Sequence, residues 1–256
     1  PTNINYTTEV VVPYLTIPWG MTFLPDGSML ITEKSGELIH FKSGEKTYIE
    51  GAPDVYVRGQ GGFLDIKLHP DYENNGWIYM THASTDGEGE GGNTALIRAK
   101  LNGNSLVKTE VLYKAEPNTK KGQHWGSRIE FDDEGYLYFS VGDRGNRDVN
   151  PQDITRDCGK IYRVNDDGSI PPDNPFVDTE GAIPSIWSYG HRNPQGLVFD
   201  KTTGVMWESE HAPRGGDEIN IIRKGANYGW NEISYGINYN GTVFTNTTHK
   251  DGMEQP

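Results

Sequence analysis

Short runs of alternating or β-rich residues recur along this chain. Each pair of runs is split by a turn carrying Asp or Asn and then Gly. Residues 21–33 turn at Pro25-Asp26-Gly27, and residues 66–81 at Asn74-Asn75-Gly76. Residues 129–140 turn at Asp132-Asp133-Glu134-Gly135, and residues 197–208 at Asp200-Lys201-Thr202-Thr203-Gly204. Strand-period runs across a glycine turn predict β-hairpins. The turn glycines Gly27, Gly76, Gly135 and Gly204 are 49, 59 and 69 residues apart. That spacing suits one four-stranded blade per repeat, with insertions of growing length. Further β-like runs at 36–41, 95–100, 160–164 and 218–222 fit outer strands of the same blades. Almost no helix is expected. The fold predicted is an all-β propeller of four-stranded antiparallel blades, whose faces are buried on one another. A β-sandwich would place its strands at shorter, more even intervals.

Composition narrows this further. The 36 acidic and 23 basic residues give a net charge of −13. Nucleic acid and anionic membrane surfaces call for basic patches, so neither is an expected partner. A hard cation such as Ca²⁺ is compatible with the acidity. Fourteen tyrosines and six tryptophans exclude a disordered acidic chain. Cys158 is the only cysteine, which rules out an internal disulfide or a cysteine metal site; it reads as a small apolar residue in a turn. No apolar run approaches the roughly 18 residues of a membrane span. The polar start Pro1-Thr2-Asn3-Ile4-Asn5 lacks the charged and apolar regions of an export leader. Glycosylation sequons begin at Asn5, Asn240 and Asn246 and matter only in a glycosylating host.

Three polar loops gather the residues with chemistry: 122–128 (Gly-Gln-His-Trp-Gly-Ser-Arg), 190–196 (Gly-His-Arg-Asn-Pro-Gln-Gly) and 209–218, which contains His211-Ala212-Pro213. Each adjoins a predicted hairpin, so one site assembled from several repeats is expected. The acidic glycine loop 84–94 reads as a flexible, solvated connection, and 165–184 as a long surface loop. Four hairpins are visible, and a partial fifth repeat is expected near Thr242-Val243-Phe244. The expectation is therefore one incomplete propeller domain over 1–256, with about four blades and part of a fifth, cut from a longer protein.

Several motifs together carry a resemblance. They are Gly59-Gln60-Gly61-Gly62-Phe63-Leu64-Asp65, His69-Pro70-Asp71-Tyr72, the loop around His124, Val141-Gly142-Asp143-Arg144-Gly145, the loop around Arg192, Asp217-Glu218-Ile219-Asn220 and Gly225-Ala226-Asn227-Tyr228-Gly229-Trp230. In this order, from about residue 18 onward, they resemble the soluble quinoprotein sugar dehydrogenases. This is the glucose/sorbosone dehydrogenase family, and its aldose sugar dehydrogenase branch is the more similar. The resemblance implies a six-bladed propeller that binds pyrroloquinoline quinone (PQQ) with Ca²⁺ and is periplasmic or secreted. It implies His124 as general base, Asp143 as the carboxylate that orients it, and Arg192 as the cation set against the quinone oxygens. Gln60, Asn193 and His211 fall at polar positions of the cofactor or substrate pocket. The backbone carbonyls of Ala212 and Pro213 match the ligands of the cofactor's Ca²⁺, and Glu218 and Tyr228 match residues of a second, structural Ca²⁺ site. Gln123 and His211 depart from one branch of the family, and several basic cofactor contacts fall beyond Pro256.

Read from the residues alone, the same positions have plainer uses. His69 caps a turn, His191 hydrogen-bonds within its loop, Asp143 is a turn residue, and Glu218 is a surface charge. Trp125, Trp187 and Trp230 pack between blades. His124, Asp143 and Arg192 together favour an oxidoreductase over a non-catalytic propeller that binds a carbohydrate or protein. A Ca²⁺-dependent lactonase would need a side-chain metal cluster near the axis. The expected partners are an aldose and an external electron acceptor, with no nucleic acid and no membrane insertion; a monomer or homodimer is expected.

Overall fold

The computed structural model describes residues 6–255. The sequon position Asn5, the other residues of 1–5, and Pro256 lie outside that range. The described chain forms four antiparallel sheets in sequence order. The first holds β1 (Pro18–Phe23), β2 (Met29–Glu33), β3 (Leu38–Lys42) and β4 (Glu45–Ile49). A second sheet contains β5 (Phe63–Leu68), β6 (Trp77–Ser84), β7 (Asn93–Asn102) and β8 (Ser105–Lys114), with the one-turn helix α1 (Tyr72–Asn75) in its first hairpin. β9 (Ile129–Phe131), β10 (Leu137–Val141), β11 (Lys160–Val164) and β12 (Ile186–Tyr189) make the third. The fourth has three strands: β13 (Pro194–Asp200), β14 (Val205–Glu210) and β15 (Glu218–Ile221).

All four predicted hairpins form, as β1–β2, β5–β6, β9–β10 and β13–β14. The further β-like runs are the third strand of each sheet. The fourth strands β4, β8 and β12 lie outside the predicted runs; β4 and β8 are half-exposed edges with weak apolar alternation. The expected fifth repeat is corrected: Thr242-Val243-Phe244 contains no strand. Among the described residues beyond 230, an isolated bridge between Arg214 and Ile237 is the only sheet-like pairing. Loop 84–94 is also less free than predicted, because the Asn118 amide donates to the Thr85 and Gly89 carbonyls.

The core explains the propeller. One apolar cluster joins Leu30 and Leu38 of the first sheet to Phe63, Ile66, Ile78 and Ile97 of the second. Another joins Tyr79 and Leu96 to Phe131, Leu137, Phe139 and Tyr162 of the third. A third cluster joins Tyr138 and Ile161 to Leu197 and Met206 of the fourth. The second and third sheets thus have both faces in use, which is how blades bury apolar surface, whereas Val198, Trp207 and Ile219 of the fourth are exposed. The first strands pack in succession, β1 on β5, β5 on β9 and β9 on β13, and so line the axis. Loops entering these strands and leaving their hairpin partners meet at one end. Among the described residues no helix is long and apolar enough to cross a membrane.

Candidate active site

The loop before β9 carries His124, and the loop after β10 carries Asp143. Two glycines let these loops touch. A Cβ on Gly142 would lie 2.3 Å from the His124 carbonyl oxygen, and one on Gly126 would lie 2.7 Å from the Gly142 nitrogen. His124 itself adopts φ 57°, a left-handed backbone that costs energy in a non-glycine residue. Its neighbours hold it there. The Gln60 side-chain oxygen accepts the His124 backbone N–H at 2.7 Å. The Arg144 guanidinium carbon sits over Trp125, 3.3 Å from the ring centre, and the group donates to the backbone carbonyls of Lys121 and Gln123. Burial pushes the Arg144 guanidinium down to about 10.

His124 Nδ1 is 2.6 Å from Asp143 Oδ1. Asp143 is buried and richly supplied with donors: Gly145 N–H reaches Oδ1 at 2.6 Å, and the Trp230 indole N–H reaches Oδ2 at 2.8 Å. A carboxylate bound in this way accepts a hydrogen bond from Nδ1–H of His124, which leaves Nε2 as the basic atom. His124, Asp143, Arg192, Pro213 and Trp230 line one cleft of about 290 Å³, together with Lys121 and Arg147.

Arg192 arrives from the loop between β12 and β13. Its backbone carbonyl accepts the Asp143 N–H at 2.7 Å. Its guanidinium Nη1 donates to the carbonyls of His211 and Ala212, at 2.5 and 2.8 Å. The three residues singled out as a catalytic group, 68 positions apart at the extremes, thus converge. Gln60 and Asn193 do not line the cleft. Gln60 serves the His124 backbone, and the Asn193 side-chain oxygen accepts the Gly126 N–H at 3.2 Å. Both amides brace the 122–126 loop: the exposed Gln60 with its oxygen alone, and Asn193 because a buried amide must spend its polar atoms on nearby partners. The His211 side chain is exposed and turns to Asp217, 3.7 Å away; only its backbone oxygen meets Arg192.

The residues fit an anionic cofactor with a hard cation. Lys121, Arg147 and Arg192 outnumber Asp143 and Asp148 in the cleft of an otherwise acidic chain. Ala212 O gives one lone pair to Arg192 and keeps the other, and Pro213 borders the cleft; carbonyl oxygens suit Ca²⁺.

A second polar group lies behind the first. Glu208 and Glu210 alternate along β14 on its buried face, and Glu210 pairs in register with Glu218 of β15. Glu210 accepts the backbone N–H groups of Arg192 and Asn193 at 2.5 and 3.2 Å. Its other oxygen is 3.3 Å from His191 Nδ1, and His191 Nε2 is 2.9 Å from Ser188 Oγ. Ligand atoms of His191, Glu208 and Glu210 lie within 4.8 Å of one another. Burial, then the charge of Glu210, pushes Glu208 well up and Glu218 up to about 8. Glu208 Oε1 is buried without a hydrogen-bond partner. Such a cluster stays protonated or takes a cation. Glu218 is therefore no plain surface charge. The Tyr228 hydroxyl donates to Ile221 O at 2.5 Å, and its ring stacks on His191, so only its backbone oxygen is left as a ligand. Sequence reasoning passed over Glu208 and Glu210. Their signal was acid at inward positions of a strand, in step with Met206.

Cys158 and His69 follow the plain readings. Burial pushes the Cys158 thiol up to about 12, and His69 Nδ1 accepts the Asp71 N–H at 2.9 Å.

Comparison with known proteins places this arrangement in context. Residues 15–256 match the glucose/sorbosone dehydrogenase family model. The chain is 41% identical over 263 aligned residues to aldose sugar dehydrogenase YliI of Escherichia coli, covering 100% of this chain and 70% of that protein. It is 31% identical to quinoprotein glucose dehydrogenase B of Acinetobacter calcoaceticus, over 94% of this chain and 56% of the relative. Among solved structures, the apo form of the soluble aldose sugar dehydrogenase of Escherichia coli superposes with a TM-score of 0.93 at 39% identity, over 97% of this chain and 73% of that one. The PQQ-bound aldose sugar dehydrogenase of Streptomyces coelicolor gives 0.78 at 31%, over 97% and 69%.

Proposed function

The chain belongs to the glucose/sorbosone dehydrogenase family, a family of oxidoreductases, and from that premise we propose that it is the catalytic portion of a PQQ-dependent aldose dehydrogenase. The observation that carries this is the pair His124–Asp143 at 2.6 Å, opening on the cleft that also holds the Arg192 guanidinium.

The reaction oxidises the anomeric carbon of an aldose to a lactone. When bound, PQQ with its Ca²⁺ supplies the acceptor for the hydride and its two electrons. The protein's own step is the removal of the anomeric hydroxyl proton. His124 Nε2 takes it, and Asp143 stabilises the imidazolium through Nδ1–H. Arg192, with Lys121 and Arg147, would hold the anionic cofactor and stabilise negative charge that develops as the hydride leaves carbon. The Ala212 and Pro213 carbonyls would hold its Ca²⁺. Glu218 and the Tyr228 carbonyl would hold a second Ca²⁺, with Glu208 and Glu210 as neighbouring carboxylates.

Four blades in a chain that spans 70% of the Escherichia coli relative scale to about six over that whole length, which supports a six-bladed ring. Export to the periplasm or medium, an external electron acceptor, and a monomer or homodimer belong to the same reading.

The test is reconstitution of the full-length protein. Aldose oxidation should require both PQQ and Ca²⁺, fall away in EDTA and return with added Ca²⁺. Turnover that is indifferent to PQQ, or absent with both supplied, overturns the reading.

A further inference from the structure

Trp230 stands outside every role assigned so far, yet it touches both halves of the site. It is buried, and its indole N–H points to Asp143 Oδ2 at 2.8 Å. Both oxygens of Asp143 are then fixed: Oδ1 by His124 and Gly145, Oδ2 by Trp230. The Trp230 ring also lies under the Arg192 guanidinium, 5.4 Å from ring centre to carbon.

The indole is held firmly. Trp230 N–H donates to Gly190 O at 2.9 Å, and its carbonyl accepts from the Gln152 amide at 2.8 Å. Phe244 packs edge-on at 5.2 Å. Packing between blades, the role expected from the sequence, needs none of this polar aim. A phenylalanine would fill much of the same space without the N–H.

We propose that Trp230 is a positioning residue for the base. Its indole N–H locks the rotation of the Asp143 carboxylate, so that Oδ1 faces His124 Nδ1 and keeps Nε2 turned to the cleft. This rests on the reading of His124 as the base. The chemistry follows from carboxylate geometry. A carboxylate held at one oxygen alone turns about its Cβ–Cγ bond, and the imidazole it orients loses its alignment.

Two variants of the full-length protein separate the donor from the ring. Trp230→Phe removes the N–H and part of the ring. Benzothienylalanine at position 230 replaces only the N–H, by sulfur, and keeps the shape if the phenylalanine variant folds poorly. The first readout is nuclear magnetic resonance of the protein without PQQ. In the wild type the Trp230 indole proton should resonate downfield and exchange slowly with solvent. It should lose both properties in Asp143→Ala. In both position-230 variants the His124 Nδ1 proton should shift and exchange faster.

The second readout is steady-state kinetics with PQQ and Ca²⁺. One hydrogen bond to a charged group predicts a kcat lower by about tenfold, with the sugar KM unchanged. An unchanged His124 resonance in the benzothienylalanine variant overturns the proposal, whatever kcat does, because the residue then acts by packing alone. An unchanged kcat with a shifted resonance overturns it too. A wild type that oxidises no aldose defeats the functional reading instead, while the resonance experiment still decides whether Trp230 orients Asp143 and His124.

Discussion

Two histidine–carboxylate pairs lie close together in this molecule, and they have opposite characters. His124 sits at a cleft with one ring nitrogen on Asp143, at 2.6 Å, and the other unclaimed by any hydrogen bond among the described residues. His191 is fully buried, with Nδ1 near Glu210 and Nε2 on Ser188, and Tyr228 stacked 4.6 Å from its ring centre. The carboxylates differ in the same sense. Asp143 is surrounded by N–H donors, whereas Glu210 shares its surroundings with Glu208 and Glu218. A histidine can move a proton only if one nitrogen is free to meet a substrate. The first pair has the layout of a base. The second pair is a support, which holds the Arg192 and Asn193 backbone through Glu210.

The largest effect that distinguishes the pairs is expected from His124→Ala. Turnover should fall by about 10²–10⁴-fold, the scale of a general base. The corresponding change His191→Gln should leave kcat within about threefold and lower the melting temperature instead, since it disturbs a buried hydrogen-bonded group. If His191→Gln abolished turnover in a folded protein and His124→Ala did not, the roles would be reversed.

Next in size is Arg192→Gln. Loss of a charge that stabilises the transition state predicts a fall of about 10²–10³-fold in kcat. Affinity for PQQ, measured by its visible absorption on titration, should weaken as well. Unchanged affinity and turnover would remove Arg192 from the site.

How far the sequence foretold these pairs depends on what holds them. The hairpins and third strands were legible because period-two patterns and Asp/Asn-Gly turns are local. That His124, Asp143 and Arg192 share one cleft was legible, because each lies on a glycine-rich loop whose motif stands intact. The direction of Gln60 and Asn193 was not, since only the folded loops show that Gly126 and His124 claim those amides. Trp230 read as packing because its partner lies 87 residues away. Glu208, on a buried strand face, broke the apolar pattern and could have been noticed. The missing fifth repeat has a similar cause: Val243 and Phe244 look β-like, but Phe244 is used against Trp230 rather than in a ladder.

The smallest effect concerns pH and the second pair. Burial and neighbouring Glu210 raise Glu218 from 4.5 to about 8. A carboxyl raised in the folded state contributes stability that is complete below its unfolded value and is lost as pH climbs through the folded one. In EDTA, the melting temperature should therefore decline between about pH 4.5 and 8. Glu218→Gln should flatten that decline, and millimolar Ca²⁺ should offset it by neutralising the ionised cluster. Identical profiles with and without Ca²⁺ would leave the carboxylates of this pair without a cation.

The central claim is that the open pair, not the closed one, removes the substrate proton. Single-turnover spectroscopy tests it most directly. Full-length wild type and His124→Ala are each loaded with PQQ and Ca²⁺, then mixed with excess aldose while the visible spectrum of the quinone is followed. The account predicts equal cofactor loading in both, rapid bleaching to the reduced spectrum in the wild type, and reduction slower by about 10²–10⁴-fold in the variant. Equal rates of reduction in the two proteins would contradict it.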